Sequence, residues 1–464
     1  MKLYLQTRWQ LEKNYLVYYG MRKTPYTLRN KIELKTKELI EIQKLLNGEN
    51  VDKNILNKFI TQEIIVPEEK LNIIPKSFQE ARFCENCVAN DFMIPGIEFD
   101  DNGLCPMCAS KEKTKNYKSV VPMMTTFPKA KKSRFDVAVF YTGGKDSSFL
   151  LYYLAKKLNL RVLALTWEIP FMSDSARLSI ENAKKKLKNV EFVSRKVDDN
   201  SLLKIYKKLY ELNGNTCACP SLAYILFYPL LVSEKVPYFV LGNEPVQIQN
   251  LYFNNMAPSI SYTFSSNKFL NFLLNFTRVL TLRKPFKPGQ FHTLAVMKQL
   301  AYGDVWIKKL SNYQNTFLNN IMEAIKEVKS ITKPLKRAIR VSSFTGNIPA
   351  FIHIDFNEIS EGGVYNWENV KKLITEEVGW VGPSEENKGL HTSCKIEKCK
   401  EYSQFIAFYK MKSTMIPFSA IELSLATRDK NINREKAILE INHSLGFSLE
   451  EPLECNIMKE YLNK

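Results

Sequence analysis

From Arg134 onward the chain alternates short, strongly apolar runs with longer amphipathic ones, and this alternation constrains the fold more than any other feature. RFDVAVFY (134–141) reads as a buried strand and SSFLLYYLAKKL (147–158) as a helix. RVLALTWEI is then a strand, SDSARLSIENAKKKL a helix and VEFVSRKV a strand. NSLLKIYKKLYELNG and LAYILFYPLLVSEKV follow as helices, and PYFVLGN closes the series as a strand. Repeated β-α units of this size imply parallel strands with helices on both faces. The expected fold class is therefore α/β, with a doubly wound parallel sheet. Ligands of such sheets sit beyond the strand C-termini, so the turn after the first strand becomes the first candidate site.

That turn reads YTGGKDSS, residues 141–148. Two glycines let the backbone bend with no side chain in the way, so several N–H groups can converge on a phosphate while the helix that starts beyond them adds its positive end. A carboxylate can hold magnesium there, and hydroxyls can bind phosphate oxygens. The spacing is neither the Walker A pattern nor the Gly-x-Gly-x-x-Gly of dinucleotide sites. It resembles the Ser-Gly-Gly-x-Asp-Ser loop of the N-type ATP pyrophosphatases, the PP-loop enzymes, with Thr142 in place of the first serine. The resemblance implies an adenine nucleotide alpha hydrolase (HUP-like) fold and cleavage of ATP between its α and β phosphates, with AMP passing to an otherwise inert oxygen.

On that resemblance, Tyr141, Thr142, Gly143, Gly144, Lys145, Asp146, Ser147 and Ser148 are the expected ATP-binding residues. Lys145 and Asp146 are also catalytic, through charge neutralisation and Mg2+ binding. Thr166, Trp167 and Glu168, at the end of the second strand, are expected near the adenosine. Gly242 and Asn243 are expected to flank the phosphates.

The nine cysteines are clustered. Cys84/Cys87 and Cys105/Cys108 form two Cys-x-x-Cys knuckles 17 residues apart. Four thiolates suit tetrahedral zinc, and a closed four-sulfur site is structural because no position remains for a substrate. Such a site staples a small module that has little core of its own.

CENCVANDFMIPGIEFDDNGLCPMC is similar to the zinc-knuckle opening of the N-acetyl sugar amidotransferases of bacterial surface-polysaccharide pathways, Cys-x-x-Cys-Val followed by Ile-x-Phe-Asp-x-x-Gly-x-Cys-x-x-Cys. SDSARLSIENAKKKL, EEVGW and NINREKAILEI also resemble that family. The resemblance implies adenylation of the acetamido oxygen of a nucleotide-linked sugar and displacement of AMP by ammonia. No glutaminase is visible in the sequence, so a separate glutaminase subunit is the expected ammonia source.

Other thiols point to sulfur. NTCACPS carries Cys217 and Cys219 about 70 residues after the glycine turn, a region where the iron-sulfur tRNA thiolases of the PP-loop class carry a cysteine pair. The spacing here is Cys-x-Cys rather than their Cys-x-x-Cys. HTSCKIEKC adds Cys394 and Cys399, with His391 as a base or ligand. These four thiols are candidates for an iron-sulfur cluster, or for a persulfide carrier with its resolving thiol. Buried cysteines are also often inert small hydrophobes, and Cys455, His292, His353 and His443 stand alone in the sequence.

The domain reading that results is a helical extension over 1–80, a zinc-ribbon-like module over 81–118 and a PP-loop domain over 130–250. An irregular or helical insert over 251–345 is a candidate substrate lid, and a helical region with the His/Cys cluster follows over 346–464. The function expected first is amidotransferase-like adenylation. The alternatives are thiolation of tRNA or a small molecule with a sulfur-donor subunit, and a non-catalytic ATP-binding assembly subunit.

The net charge of +18 suits a nucleic acid or any phosphorylated substrate, yet the lysines are spread along the chain rather than gathered into an arm. No run has the length of a membrane span, and the first residues are charged throughout, so a cytoplasmic protein without a membrane partner is expected, with a homo-oligomer left open.

Overall fold

The computed structural model describes residues 2–23, 31–110, 121–213, 219–242, 244–253, 267–303, 316–383 and 393–464. At its centre is a five-stranded, wholly parallel sheet made of β6 (Val137–Phe140), β7 (Val162–Trp167), β8 (Val190–Arg195), β9 (Tyr238–Leu241) and β10 (Ala350–His353). All six residues of β7 are buried, whereas none of β8, at one edge, is fully buried and Glu191 and Ser194 are exposed. Side chains alternate between two cores because successive strand residues face opposite ways. Val137, Val139, Val162, Ala164 and Val240 pack into one core, and Ala138, Leu163, Leu165, Phe239 and Leu241 into the other.

The strand order is β10-β9-β6-β7-β8. From β6 the chain steps to β7 and β8 on one side, then crosses back to place β9 on the other side of β6. The connections leave in opposite directions between β6 and β9, which opens a crevice at their C-terminal ends. The glycine turn follows β6 directly, so it lies at this crevice. Asp136 anchors the other end of β6. Its fully buried carboxylate accepts from Ala130 N (2.7 Å), Arg161 N (2.9 Å) and Arg161 Nε (3.1 Å), joining the starts of β6 and β7.

The helices follow the sequence expectation closely. Helix Lys145–Tyr152 continues into a π turn, Tyr153–Lys157, and helices Asp174–Lys186, Asp199–Asn213 and Cys219–Ser233 fall where the apolar spacing predicts them. Two regions differ. β10 comes from the region expected to be helical, since AFIH is too short to show a period and pairs only because β9 offers it an edge. The first 80 residues, expected as a helical extension, contain helices Thr36–Leu46 and Lys53–Thr61 but also five short strands. β2 (Trp9–Glu12), β3 (Tyr15–Tyr18) and β4 (Lys31–Glu33) form an antiparallel sheet, while β1 (Leu3–Leu5) pairs with β5 (Ile65–Pro67). The β2–β3 hairpin turns at Lys13-Asn14, with Lys13 at φ 56°, and so lacks the glycine that advertises such turns.

Arginines tie the peripheral parts to the sheet domain. Arg8 donates to the Phe408 and Tyr409 carbonyls at 2.7 and 2.6 Å, joining the N-terminal unit to helix Glu397–Tyr409. Arg434 donates to Cys84 O and Cys87 O, both at 3.2 Å, and Arg428 to Met107 O at 3.0 Å, clasping the cysteine module.

Candidate active site

The glycine turn is held open by its own hydroxyls. Ser147 Oγ lies 3.2 Å from Thr142 Oγ1, accepts from Thr142 N at 3.3 Å and donates to Gly144 O at 3.1 Å. Gly143 sits at φ 76°, and a Cβ there would overlap the backbone of Ala176 in helix Asp174–Lys186. Both its conformation and its packing therefore require glycine. Gly144 is the N-cap of helix Lys145–Tyr152 and offers no side chain to the first-turn N–H groups, which leaves them directed at the crevice.

Across the crevice, side chains from three parts of the chain meet. The Lys145 ammonium bonds the Asp146 carboxylate, lies 3.3 Å from Tyr365 Oη and 3.8 Å from Glu244 Oε2, and sits 4.6 Å from the ring centres of both Tyr365 and Trp367. Tyr365 Oη donates to Asp146 Oδ1 at 2.7 Å, and Trp367 Nε1 donates to Glu244 Oε2 at 2.9 Å. Burial pushes the Glu244 carboxyl up to about 8, helped by Asp146 and Glu422 and opposed by Lys145 and the Trp367 bond. Burial first, then Asp146 and Glu244, also pushes the Tyr365 phenol well above its usual range. The cluster thus combines a cation, a carboxylate and two proton-holding groups beside the glycine turn.

Sequence reasoning placed Lys145 and Asp146 here but missed Glu244, Tyr365 and Trp367. Glu244 had a signal, since it follows Gly242-Asn243 at a strand end. Tyr365 and Trp367 had none, being more than two hundred residues from the turn.

The other expected ATP-binding residues divide. Thr166 Oγ1 is buried and donates to Tyr141 O at 2.8 Å, bracing the strand ends. Trp167, at the end of β7, keeps a buried indole N–H with no partner among the described residues, as does Trp380. Glu168 is exposed. Gly242 passes close to Leu150 and to the backbone of Ser147, so β9 ends against the cradle helix. Tyr141 points the other way: its buried hydroxyl donates to Ser179 O at 3.2 Å, because the strand's alternation sends this side chain into the core. Asn243 lies outside the described residues.

Cys84, Cys87, Cys105 and Cys108 converge, with their sulfurs all within 4.8 Å of one another and every residue buried. Cys87 and Cys105 are 3.7 Å apart, close to the edge of about 3.8 Å that a tetrahedron with metal–sulfur bonds of about 2.3 Å would have. Cys105 N, Ala89 N and Asn86 Nδ2 donate to the sulfurs of Cys84, Cys87 and Cys108 at 3.2, 3.4 and 3.5 Å. Four buried sulfurs this close cannot all ionise unless a cation sits between them, so the donor set fits one thiophilic ion.

Among the described residues, Cys394, Cys399 and Cys455 are all buried in the second core. Cys394 lies in a short antiparallel bridge with Met172, flanked by bonds Ser173 N to Ser393 O (3.1 Å) and Lys395 N to Phe171 O (2.7 Å). This puts it at the start of helix Asp174–Lys186, the helix on which Gly143 packs. Cys399 lies in the same core beside Cys455 and Tyr210, and burial pushes the Cys399 and Cys455 thiols up. Cys455, isolated in sequence, therefore has Cys399 as a neighbour. Cys217 and His391 lie outside the described residues, and the side chain of Cys219, at the first position of helix Cys219–Ser233, is likewise undescribed. His353 is buried and His292 half-buried, and desolvation, with His292 adding to it at His353, holds them down to about 4 for His292 and about 3 for His353, so both are neutral.

No protein-family model and no curated protein matches the sequence. Among solved structures, the chain is similar to the U34-tRNA thiolase NcsA from Methanococcus maripaludis with its [4Fe-4S] cluster, at 16% identity and a TM-score of 0.22, over 56% of this chain and 88% of that one.

The four-thiol centre predicts one metal ion per purified chain. A strong chelator, or Cys84→Ser, should release it and lower the melting temperature; elemental analysis beside a thermal melt checks this, and a metal-free chain of unchanged melting temperature would refute it. Glu244 predicts a pH dependence. Its folded value near 8 lies above the usual 4.5, so its contribution to stability is whole below pH 4.5 and is lost as pH rises through about 8. Glu244→Gln keeps an acceptor for Trp367 but cannot ionise, so its melting temperature should fall less across that window; parallel curves for the two proteins would refute the assignment.

Proposed function

We propose that the chain is an AMP-forming, ATP-dependent adenylating enzyme of PP-loop type. The observation that carries this reading is the uncapped helix start behind Gly143-Gly144, set at the crevice where β6 and β9 diverge and faced by Lys145 and Asp146. In the proposed reaction an acceptor oxygen attacks the α-phosphorus of ATP and pyrophosphate leaves. Backbone N–H groups of the cradle and the hydroxyls of Thr142 and Ser147 hold the departing phosphates. The Lys145 ammonium offsets the charge that gathers on them. Asp146 would hold Mg2+, which supplies further neutralisation of the polyphosphate. In the described arrangement Tyr365 and Lys145 occupy that carboxylate, keeping it oriented toward the cradle.

Replacement of the adenylated oxygen has two readings. Nitrogen, as in the N-acetyl sugar amidotransferases, is supported by the sequence patches around the cysteine knuckles, with zinc as the structural ion. Sulfur is supported by the position of Cys394, whose segment pairs with the start of the helix that backs the glycine turn. The Cys399/Cys455 pair is a poor sulfur carrier, because burial disfavours the thiolate that such chemistry needs.

Incubation with ATP, Mg2+ and candidate acceptors should yield AMP and pyrophosphate, and Asp146→Ala should abolish this with the melting temperature kept within a few degrees; ADP and phosphate as the persistent products would sink the proposal. Anaerobic purification separates the two readings. A brown protein absorbing near roughly 400 nm, bleached by Cys217→Ala or Cys394→Ala, is the expected result for sulfur chemistry through a cluster. A colourless protein that holds one structural ion and makes AMP only when ammonia is supplied is the expected result for nitrogen.

A further inference from the structure

Helix Lys268–Leu280 turns an apolar face outward. Phe269, Phe272, Leu273, Phe276, Val279 and Leu280 recur at helical spacing, and each is between 45% and 70% exposed. Phe272 and Phe276 stack on each other at 6.2 Å, and Leu282, just past the helix, is 93% exposed. A surface helix ordinarily turns its polar side to water, so this orientation needs a cause.

The helix is not loosely attached. Arg278, on its inner side, is buried, with Nε donating to Lys284 O at 2.7 Å, Nη2 to Ser343 O at 3.3 Å and the guanidinium 3.7 Å over the Phe286 ring. Asn275 Oδ1 accepts from Phe286 N at 2.7 Å. These bonds fix which face looks inward, and no described residue covers the other.

Charge indicates the occupant. From Pro245 to Gly303 the sequence has no Asp or Glu, and exposed cations flank the apolar face at both ends: Lys268 before it, and Arg283, Lys284 and Lys287 after it. A second copy of this chain would bring like charges together with no local carboxylate to offset them. An anionic lipid surface offers what the face lacks, hydrocarbon for the phenylalanines and phosphate for the cations. With 13 residues the helix is about 20 Å long, short of the roughly 30 Å needed to span, and no helix among the described residues is long and apolar enough to cross a membrane. We propose that this face docks flat on a membrane surface rich in anionic lipid. Lacking a spanning segment, which underlies the expectation of no membrane partner, is compatible with lying on the surface.

The test is flotation of the full chain with vesicles of phosphatidylcholine alone and of equal phosphatidylcholine and phosphatidylglycerol. The wild-type protein should float with the anionic vesicles and stay behind with the neutral ones. Phe272→Asp/Phe276→Asp and, separately, Arg283→Glu/Lys287→Glu should each lower binding by about tenfold or more, since one removes the apolar contact and the other the attraction. All four side chains are exposed, so unchanged melting curves would confirm that the variants fold. A wild-type protein that fails to float with anionic vesicles overturns the proposal, as does flotation equal in wild type and both variants. A dimer in sedimentation that the phenylalanine variant dissociates, without vesicle binding, would also overturn it and assign the face to a second copy.

Discussion

A lysine ammonium shared by two carboxyl groups and two aromatic faces is the interaction on which the candidate site depends. Lys145 is largely buried, and a buried cation is tolerated only where opposite charge and hydrogen-bond acceptors surround it. Asp146 comes from the same turn, Glu244 from the segment after β9, and Tyr365 and Trp367 from a connection beyond β10. Three separate strand ends must therefore reach their native places before the charge is compensated. The parallel sheet supplies this, because the connections from β6 and β9 leave in opposite directions and bring those ends to one crevice.

The peripheral parts serve the same geometry. The segment Tyr365–Trp367 is held by Asn431, whose Nδ2 donates to Tyr365 O and whose carbonyl accepts from Trp367 N, both at 3.0 Å. Arg428 and Arg434, which flank Asn431 in sequence, bond the carbonyls of the four-thiol module. The four-thiol module is thus connected to Tyr365 and Trp367 through one short stretch, residues 428–434. Order in the four-thiol module can in this way stiffen the wall of the crevice.

Most of the central fold was legible. The β6–β9 strands and their helices carry clear periods, and the glycine turn stands where a strand period gives way to a helical one. The four knuckle cysteines were legible for a different reason, since Cys-x-x-Cys spacing leaves few uses other than one ion. Less legible were short elements whose partners are distant. AFIH becomes a strand only because β9 has a free edge, and the N-terminal hairpin hides behind a Lys-Asn turn. Tyr141, expected among the ATP-binding residues, directly follows β6 and continues its alternation, which sends the ring to the core.

By itself the sequence determined the local chemistry: a glycine pair that can approach phosphate, a Lys-Asp pair beside it, and four thiols spaced for one ion. Local chain geometry suffices for these, because the residues involved are close in sequence and the backbone alone brings them together. Only the tertiary structure decided that Glu244, Tyr365 and Trp367 complete the candidate site, that Cys399 has the distant Cys455 as a neighbour, and that a helix presents its phenylalanines to the outside. Those outcomes depend on which buried charges must be compensated and which faces the two cores can cover, and neither is settled until distant strands and helices have packed.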